Sequence, residues 1–227
     1  QLFCAALVRA MKQGRHFIAR SAAALPKILG NVSDQPLLTK QELFPKPLAC
    51  GGLVIIGSHV QKTTDQLTAL MNSSKAGQIH FLEFQVNAYF SGGLESEVQR
   101  VLKLAEDFIR KGESAVIYTS RKLLIPPDAD KDQILAASVS ISDALTSIVS
   151  LLSVKPRFII AKGGITSSDV GTKGLAVKKA LVLGQIKKGI PVWLTGPESK
   201  FPDTPYIIFP GNVGEATTLR EIVEELL

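Results

Sequence analysis

The 227-residue chain has little with which to build a metal centre or a disulfide framework. It holds two cysteines, Cys4 and Cys50, in no CxxC pair, and three histidines, His16, His59 and His80, at unrelated spacings. No zinc site is signalled, and so few cysteines place the chain by default in a reducing compartment, the cytoplasm. Aromatic residues make up only 6%, and the basic residues are scattered despite a formal net charge of +6. A nucleic-acid platform clusters stacking and basic side chains, so none is expected here. The surplus charge reads as a basic surface or as attraction for a small anion. No apolar stretch approaches the ~18–20 residues that span a bilayer, so no membrane partner is expected. GxxxxGK followed by Ser or Thr is absent, as is GxGxxG, which excludes a P-loop and the usual dinucleotide fingerprint. No Ser-His-Asp, paired-carboxylate or metal-ligand set stands out.

What is there is an ordinary core composition, 45% hydrophobic and 20% charged. Residues 2–13 have apolar side chains at helical spacing, and residues 17–29 continue an apolar pattern. Residues 30–50 carry Gly30, Asn31, Pro36, Pro45 and Pro47 and read as a linker. The chain opens on Gln1 in mid-helix pattern, so residues 1–50 are expected to be the end of a preceding domain plus the linker. Residues 51–227 then alternate strand and helix. Strands are expected at 53–56, 79–84, 114–120, 157–163, 191–196 and 206–211. Helices are expected at 60–73, 94–112, 130–152, 174–189 and 215–227. Continuously apolar strands separated by helices imply an α/β fold. Its mostly parallel sheet would carry helices on both faces, three layers α/β/α. Only a loop of proline and charged residues joins the last two strands, so these are antiparallel or at an edge.

Open sheets of this kind bind ligands beyond the carboxyl ends of their strands, and three such ends are unusual. In LVIIGSH, Gly57 and Ser58 follow the first strand directly. The serine suits a helix cap or a phosphate contact. In KGGITSSD, Gly163 and Gly164 free backbone amides, while Thr166, Ser167 and Ser168 crowd a helix start. That combination suits an anion held by amides, hydroxyls and the helix dipole. Lys162 either reaches the anion or points to solvent. In FPGNVG, Pro210, Gly211, Asn212 and Gly214 make an abrupt turn before the last helix. Each turn alone is also an ordinary β-to-α connection; their coincidence at one sheet edge is the signal. His59 reads as a turn residue, and the Lys178–Lys179 and Lys187–Lys188 pairs as solvated.

The segments KGGITSSDVGTKGL, VLGQIKKGIPVW and FPGNVG, in that order, resemble the C-terminal domain of the four-carbon acid sugar kinase family. VIIGSHVQKTTDQLTAL resembles the family's GS turn and the helix after it, and GRHFIARSAAALPK the segment joining its two domains. The resemblance implies ATP, with Mg²⁺, held at Ser58, Gly163, Gly164, Ile165, Thr166 and Gly211, with Asn212 and Gly214 completing the last loop. It implies phosphoryl transfer to a hydroxyl of a threonate-, erythronate- or 3-oxo-tetronate-like acid. The family's Asp-Asp-x-Thr-Gly motif is absent from this sequence. The acceptor site is therefore expected on a separate N-terminal domain, and the catalytic base is not assigned. A homodimer is left open. The alternatives are a regulatory nucleotide-binding module of a fusion protein and, further off, a Rossmann-type dehydrogenase.

Overall fold

A computed structural model of the chain describes residues 2–46, 49–122 and 129–227. Pro47 of the expected linker lies outside the described residues. Two compact units are distinguished, Gln1–Pro36 and Leu37–Leu227. In the first, α1 (Leu2–Lys12) and α2 (Ala24–Leu29) are mostly exposed, and only Cys4 of α1 is buried. Gly14, at φ 83°, ends the α1 segment in a conformation that favours glycine.

The second unit begins with the short helix α3 (Lys40–Leu43), whose Thr39 and Glu42 form a capping box. It is built on seven strands in the spatial order β2-β3-β1-β4-β7-β6-β5. These are β1 (Leu53–Ile56), β2 (Ile79–Phe84), β3 (Ser114–Thr119), β4 (Ile159–Lys162), β5 (Ala180–Lys187), β6 (Ile190–Thr195) and β7 (Pro205–Phe209). The first five in that spatial order, from β2 to β7, are parallel. The β6 strand runs antiparallel to β7, as the short connection implies, and β5 runs antiparallel to β6. Every residue of β1 and β4 is buried, which explains their unbroken apolar runs.

Helices α4 (Gln61–Met71) and α8 (Thr218–Leu226) pack together over one face. Their core includes Val54, Ile56, Ile160, Ile207, Leu67, Leu70 and Ile222. Helices α5 (Leu94–Arg110) and α6 (Lys131–Leu151) cover the other face, with α7 (Gly164–Asp169) and the π-helical turn Val170–Gly174. That core takes the alternate residues of the same strands, among them Leu53, Ile55, Ala115, Ile159 and Ala161. The result is the three-layer α/β/α arrangement.

Two expectations are corrected. Residues 180–187 form the edge strand β5 and not part of a helix. The two residues between β5 and β6 are Lys188 and Gly189, the latter at φ 79°. This tight turn returns the chain along β6, and pairing with β6 overrides a helical apolar pattern. The second correction concerns apolar length. The 21-residue α6 contains an 18-residue window of mean hydropathy 1.7, long and apolar enough by length and composition to cross a membrane. Its Ile141, Leu145, Ile148 and Val149 are buried in the domain core, the position of a core helix.

Candidate functional site

The connection leaving β1 goes to α4 on one face of the sheet, while the connection leaving its neighbour β4 goes to α7 on the other. Adjacent strands whose connections part in this way leave a crevice at their carboxyl ends. The three glycine turns stand around it.

Backbone bonds tie the turns together. Gly57 N–H donates to Lys162 O at 3.3 Å, and Gly163 N–H donates to Phe209 O at 2.9 Å. The packing is so close that side chains are excluded. A Cβ on Gly57 would lie 2.4 Å from Thr166 Oγ1, and one on Gly163 would lie 3.1 Å from Ser58 Cβ. A Cβ on Gly211 would lie 3.2 Å from Ser58 Oγ. Gly163 also has φ 128° and ψ 146°, a backbone region reserved for glycine. Gly164 is different, because a Cβ there would meet nothing within 4 Å. It faces open space in the pocket.

Ser58 is not a helix cap. The cap residue of α4 is Val60, which makes no side-chain capping bond. The Ser58 hydroxyl instead lies 3.2 Å from Thr63 Oγ1, and its carbonyl accepts from Arg121 Nη2 at 2.6 Å. Helix α4 supports the third turn as well. Thr63 Oγ1 is 3.2 Å from Gly211 O, and Lys62 Nζ donates to Gly214 O at 3.1 Å. The fully buried Gln66 donates from Nε2 to Val213 O at 3.1 Å and to Glu215 O at 2.8 Å. One helix therefore holds both the Ser58 turn and the 211–215 loop.

Lys162 takes neither of the two positions expected for it. Its side chain is 0% exposed, and Nζ donates to Pro210 O at 2.8 Å and Gly211 O at 3.1 Å. The ammonium lies 4.0 Å from the centre of the Phe209 ring. Burial, with a smaller contribution from Lys62, lowers its pKa to about 8. Ser167 is also turned away from any ligand, since its Oγ donates back to Gly163 O at 2.7 Å.

The crevice opens into a pocket of about 580 Å³ between the β1 and β4 turns and α6. Gly163, Gly164 and Ser58 form its polar end, with Thr119 beside them. Thr119 Oγ1 is buried and has no partner among the described residues. Leu135, Val139 and Ile165 form an apolar part, and Ile165 is 74% exposed. At the far side Lys173 Nζ lies 3.0 Å from Asp143 Oδ1 and 3.4 Å from Asp169 Oδ2. His59 lines the same pocket; burial and then the charge of Arg121 lower its pKa. The guanidinium of Arg121 has buried Nε and Nη1 atoms without partners among the described residues. Arg121 lines a neighbouring cavity with Tyr118 and Ser120, and an anion there would satisfy both a charge and unused donors.

A model of a nucleotide-binding C-terminal domain matches residues 53–219, most of the chain. The chain belongs to that family. This is the C-terminal domain of the four-carbon acid sugar kinase family, whose motifs the turns resemble. A search of curated proteins finds no match. Among solved structures, the chain resembles a domain of unknown function from Bordetella bronchiseptica, solved with bound citrate as a domain-swapped dimer. The identity is 15%, the match covers 79% of this chain and 42% of that one, and the TM-score is 0.57. A Haemophilus influenzae protein of the same domain family is 18% identical. That match covers 90% of this chain and 45% of the other, with a TM-score of 0.59. These likenesses establish the shared fold. The chain spans less than half the length of these two proteins.

Of the residues singled out from sequence, the structure brings Ser58, Gly163, Thr166 and Gly211 together and sets Gly164 and Ile165 at the pocket. Asn212 is exposed on the loop, and Gly214 packs against Thr218 of α8. Sequence reasoning missed Thr63 and Gln66, which look like unremarkable helix positions. It also missed Arg121, Thr119 and the α6 wall, whose place depends on strand order. The one available signal was polar spacing on α4, where Lys62, Thr63 and Gln66 share a helix side at i, i+1 and i+4.

Proposed function

We propose that the pocket binds ATP, with its phosphates against Ser58, Gly163, Gly164 and Gly211 and its base toward Leu135, Val139 and Ile165. The observation that carries this reading is Gly164, which lines the pocket beside Gly163 and Ser58 and where a Cβ would meet nothing within 4 Å. Glycine at such a point lets backbone approach a phosphate closely. The exposed apolar residues fit the flat face of a base.

On this reading residues 51–227 are the ATP half of a kinase that phosphorylates a hydroxyl of a four-carbon sugar acid. Residues 1–50 are the end of a preceding domain and a linker, the last part of which packs Leu38, Leu43 and Phe44 onto the core of the second unit. The exposed Leu2, Phe3, Phe17 and Ile18 support that division, since apolar surface of this kind is usually covered. The acceptor is held mainly by a separate domain, and this chain alone binds ATP without turning it over. The domain-swapped dimer of the Bordetella protein supports a homodimer.

Magnesium is a harder fit. The pocket offers Asp143 and Asp169, both paired with Lys173, and among the described residues no three His, Cys, Asp or Glu side chains stand together. These residues do not form a magnesium site of their own.

Calorimetric titration of the 227-residue chain with ATP and with NADH tests the reading. Saturable binding of ATP in preference to NADH, lost in Gly164→Val with the fold intact, is the expected result. Preference for NADH, or unchanged ATP affinity in Gly164→Val, overturns it.

A further inference from the structure

We infer that Lys162 supplies positive charge to the phosphate seat from beneath the turns, so that anion binding above Gly163 and Gly211 and proton binding at Lys162 Nζ strengthen each other. The inference rests on the ATP reading above and adds to it a charged group that does not line the pocket.

The geometry is specific. Nζ is held by Pro210 O and Gly211 O, and Gly211 is the residue whose Cα faces Ser58 Oγ. The next residue in the chain, Gly163, carries the strained turn on the other side of Ser58. A buried ammonium is thus bonded to one of two glycines that meet at the same serine and belongs to the residue before the other. Two carbonyls and an aromatic ring stabilise it, but among the described residues no hydrogen bond or ion pair joins it to a carboxylate. A buried cation without a counter-ion is costly, and an anion nearby relieves that cost.

Among the described residues the surrounding charges are few. From α4, Lys62 faces it and opposes its protonation. Asp65 on the same helix is exposed and bonded to Gln61. The flanking strands contribute Ile56 and Phe209 at its register, both neutral. The buried face of α8 is neutral, and Glu221 of that helix pairs outward with Lys187. Glu215, at the end of the loop, is exposed. His59 and Arg121 lie across the Ser58 turn.

The sign follows from charge. Phosphate above the turn favours the ammonium over the amine and raises the pKa of Lys162. By reciprocity the protonated protein binds the anion more tightly. With a free pKa of about 8, a rise of about one on binding makes ATP roughly sixfold weaker at pH 9.5 than at pH 7.5. A purely structural strut would change stability and leave affinity independent of pH.

The experiment is calorimetric titration of the 227-residue chain with ATP from pH 7.5 to 9.5, repeated in buffers of different ionisation enthalpy. The expected result is uptake of about half a proton per ATP near pH 8.5, and an affinity that falls with rising pH. Lys162→Met should bind weakly with no such trend, and Lys162→Arg should bind with a flat profile nearer the affinity at pH 7.5. Should either variant fail to fold, the titration of Lys162 by NMR in wild type, with and without ATP, replaces it. ATP binding with no proton uptake, or the same pH profile in Lys162→Met, overturns the inference and leaves the ATP reading standing. A wild-type chain that binds neither ATP nor pyrophosphate overturns the reading and the inference with it.

Discussion

Gly163 and Gly164 are neighbours in sequence and opposite in physical role, and replacing each with alanine separates folding from binding. At Gly163 two costs add. The backbone sits at φ 128° and ψ 146°, where a residue with a Cβ is strained by about 1–3 kcal/mol. The new methyl also lands 3.0 Å from Thr166 Oγ1 and 3.1 Å from Ser58 Cβ. These are tight contacts, one with the helix that Gly163 begins and one with the Ser58 turn, and relieving them costs about another 1 kcal/mol. Gly163→Ala is therefore expected to lose about 2–4 kcal/mol. For a unit of this size that is a fall in Tm of roughly 5–15 °C.

At Gly164 neither cost applies. A Cβ there meets nothing within 4 Å and the residue starts α7. Gly164→Ala should change stability by less than about 0.5 kcal/mol. Its methyl nevertheless stands where the pocket is open, so ATP affinity should fall. Urea unfolding followed by circular dichroism measures the first quantity and calorimetry the second. Equal stability losses in the two variants would refute the argument from backbone geometry. Wild-type ATP affinity in Gly164→Ala would remove Gly164 from the binding surface.

Three further outcomes test the supporting structure. Gln66→Leu leaves Val213 O and Glu215 O without their donor, so it should cost about 1–3 kcal/mol and raise hydrogen exchange in residues 211–216. Glu97 is almost buried: burial pushes its carboxyl up, but the bonds from Arg100 and from Gln85 N–H outweigh this and hold its pKa below the ordinary value. A carboxylate lowered in this way adds stability above its unfolded pKa and loses it as pH falls through the folded one. Glu97→Gln should thus destabilise by about 1–2 kcal/mol at neutral pH, with the gap closing below about pH 4 in a series of urea melts. Asp130 caps α6 by accepting from Gln133 N–H at 2.8 Å, so Asp130→Ala should cost about 1 kcal/mol and fray the first turn of that helix, read by exchange of residues 131–135.

Most of the fold is legible because its strands and helices differ in period. LVII in β1 and IIAK in β4 are buried throughout, and α5 buries Val98, Val101, Ala105 and Ile109 at helical spacing. The exception is β5. Its ALVLGQIK has apolar residues on both sides of any strand, and Leu181 and Val182 are each 63% exposed. No alternation survives on an edge strand of this kind, so the helical pattern wins on paper and pairing with β6 wins in the fold. The Lys188–Gly189 turn between two apolar runs was the readable clue. The candidate site divides in the same way. Glycines that must meet other backbone announce themselves in Gly57, Gly163 and Gly211. Side chains that act by strand order, such as Arg121 and Thr119, carry no local mark.

Lys162 explains why nearness in sequence misleads here. It precedes Gly163–Gly164 directly, which suggests a lysine reaching the same anion as the glycine amides. Strand alternation decides otherwise. Along β4, Ile159 and Ala161 point to the α5/α6 face, so Ile160 and Lys162 point to the α4/α8 face. The glycine turn then leads to α7 on the α5/α6 side. The side chain and the turn that follows it therefore separate across the sheet. On its own face the lysine donates to the carbonyls of the β7 turn at Pro210 and Gly211. A charge that would have met the ligand directly in a P-loop is thus placed under the backbone that would meet it. Its influence can then come only through the field at the turn and the position of Gly211. That is why the pH dependence of affinity, and not contact with the phosphate, is the property by which Lys162 should be recognised.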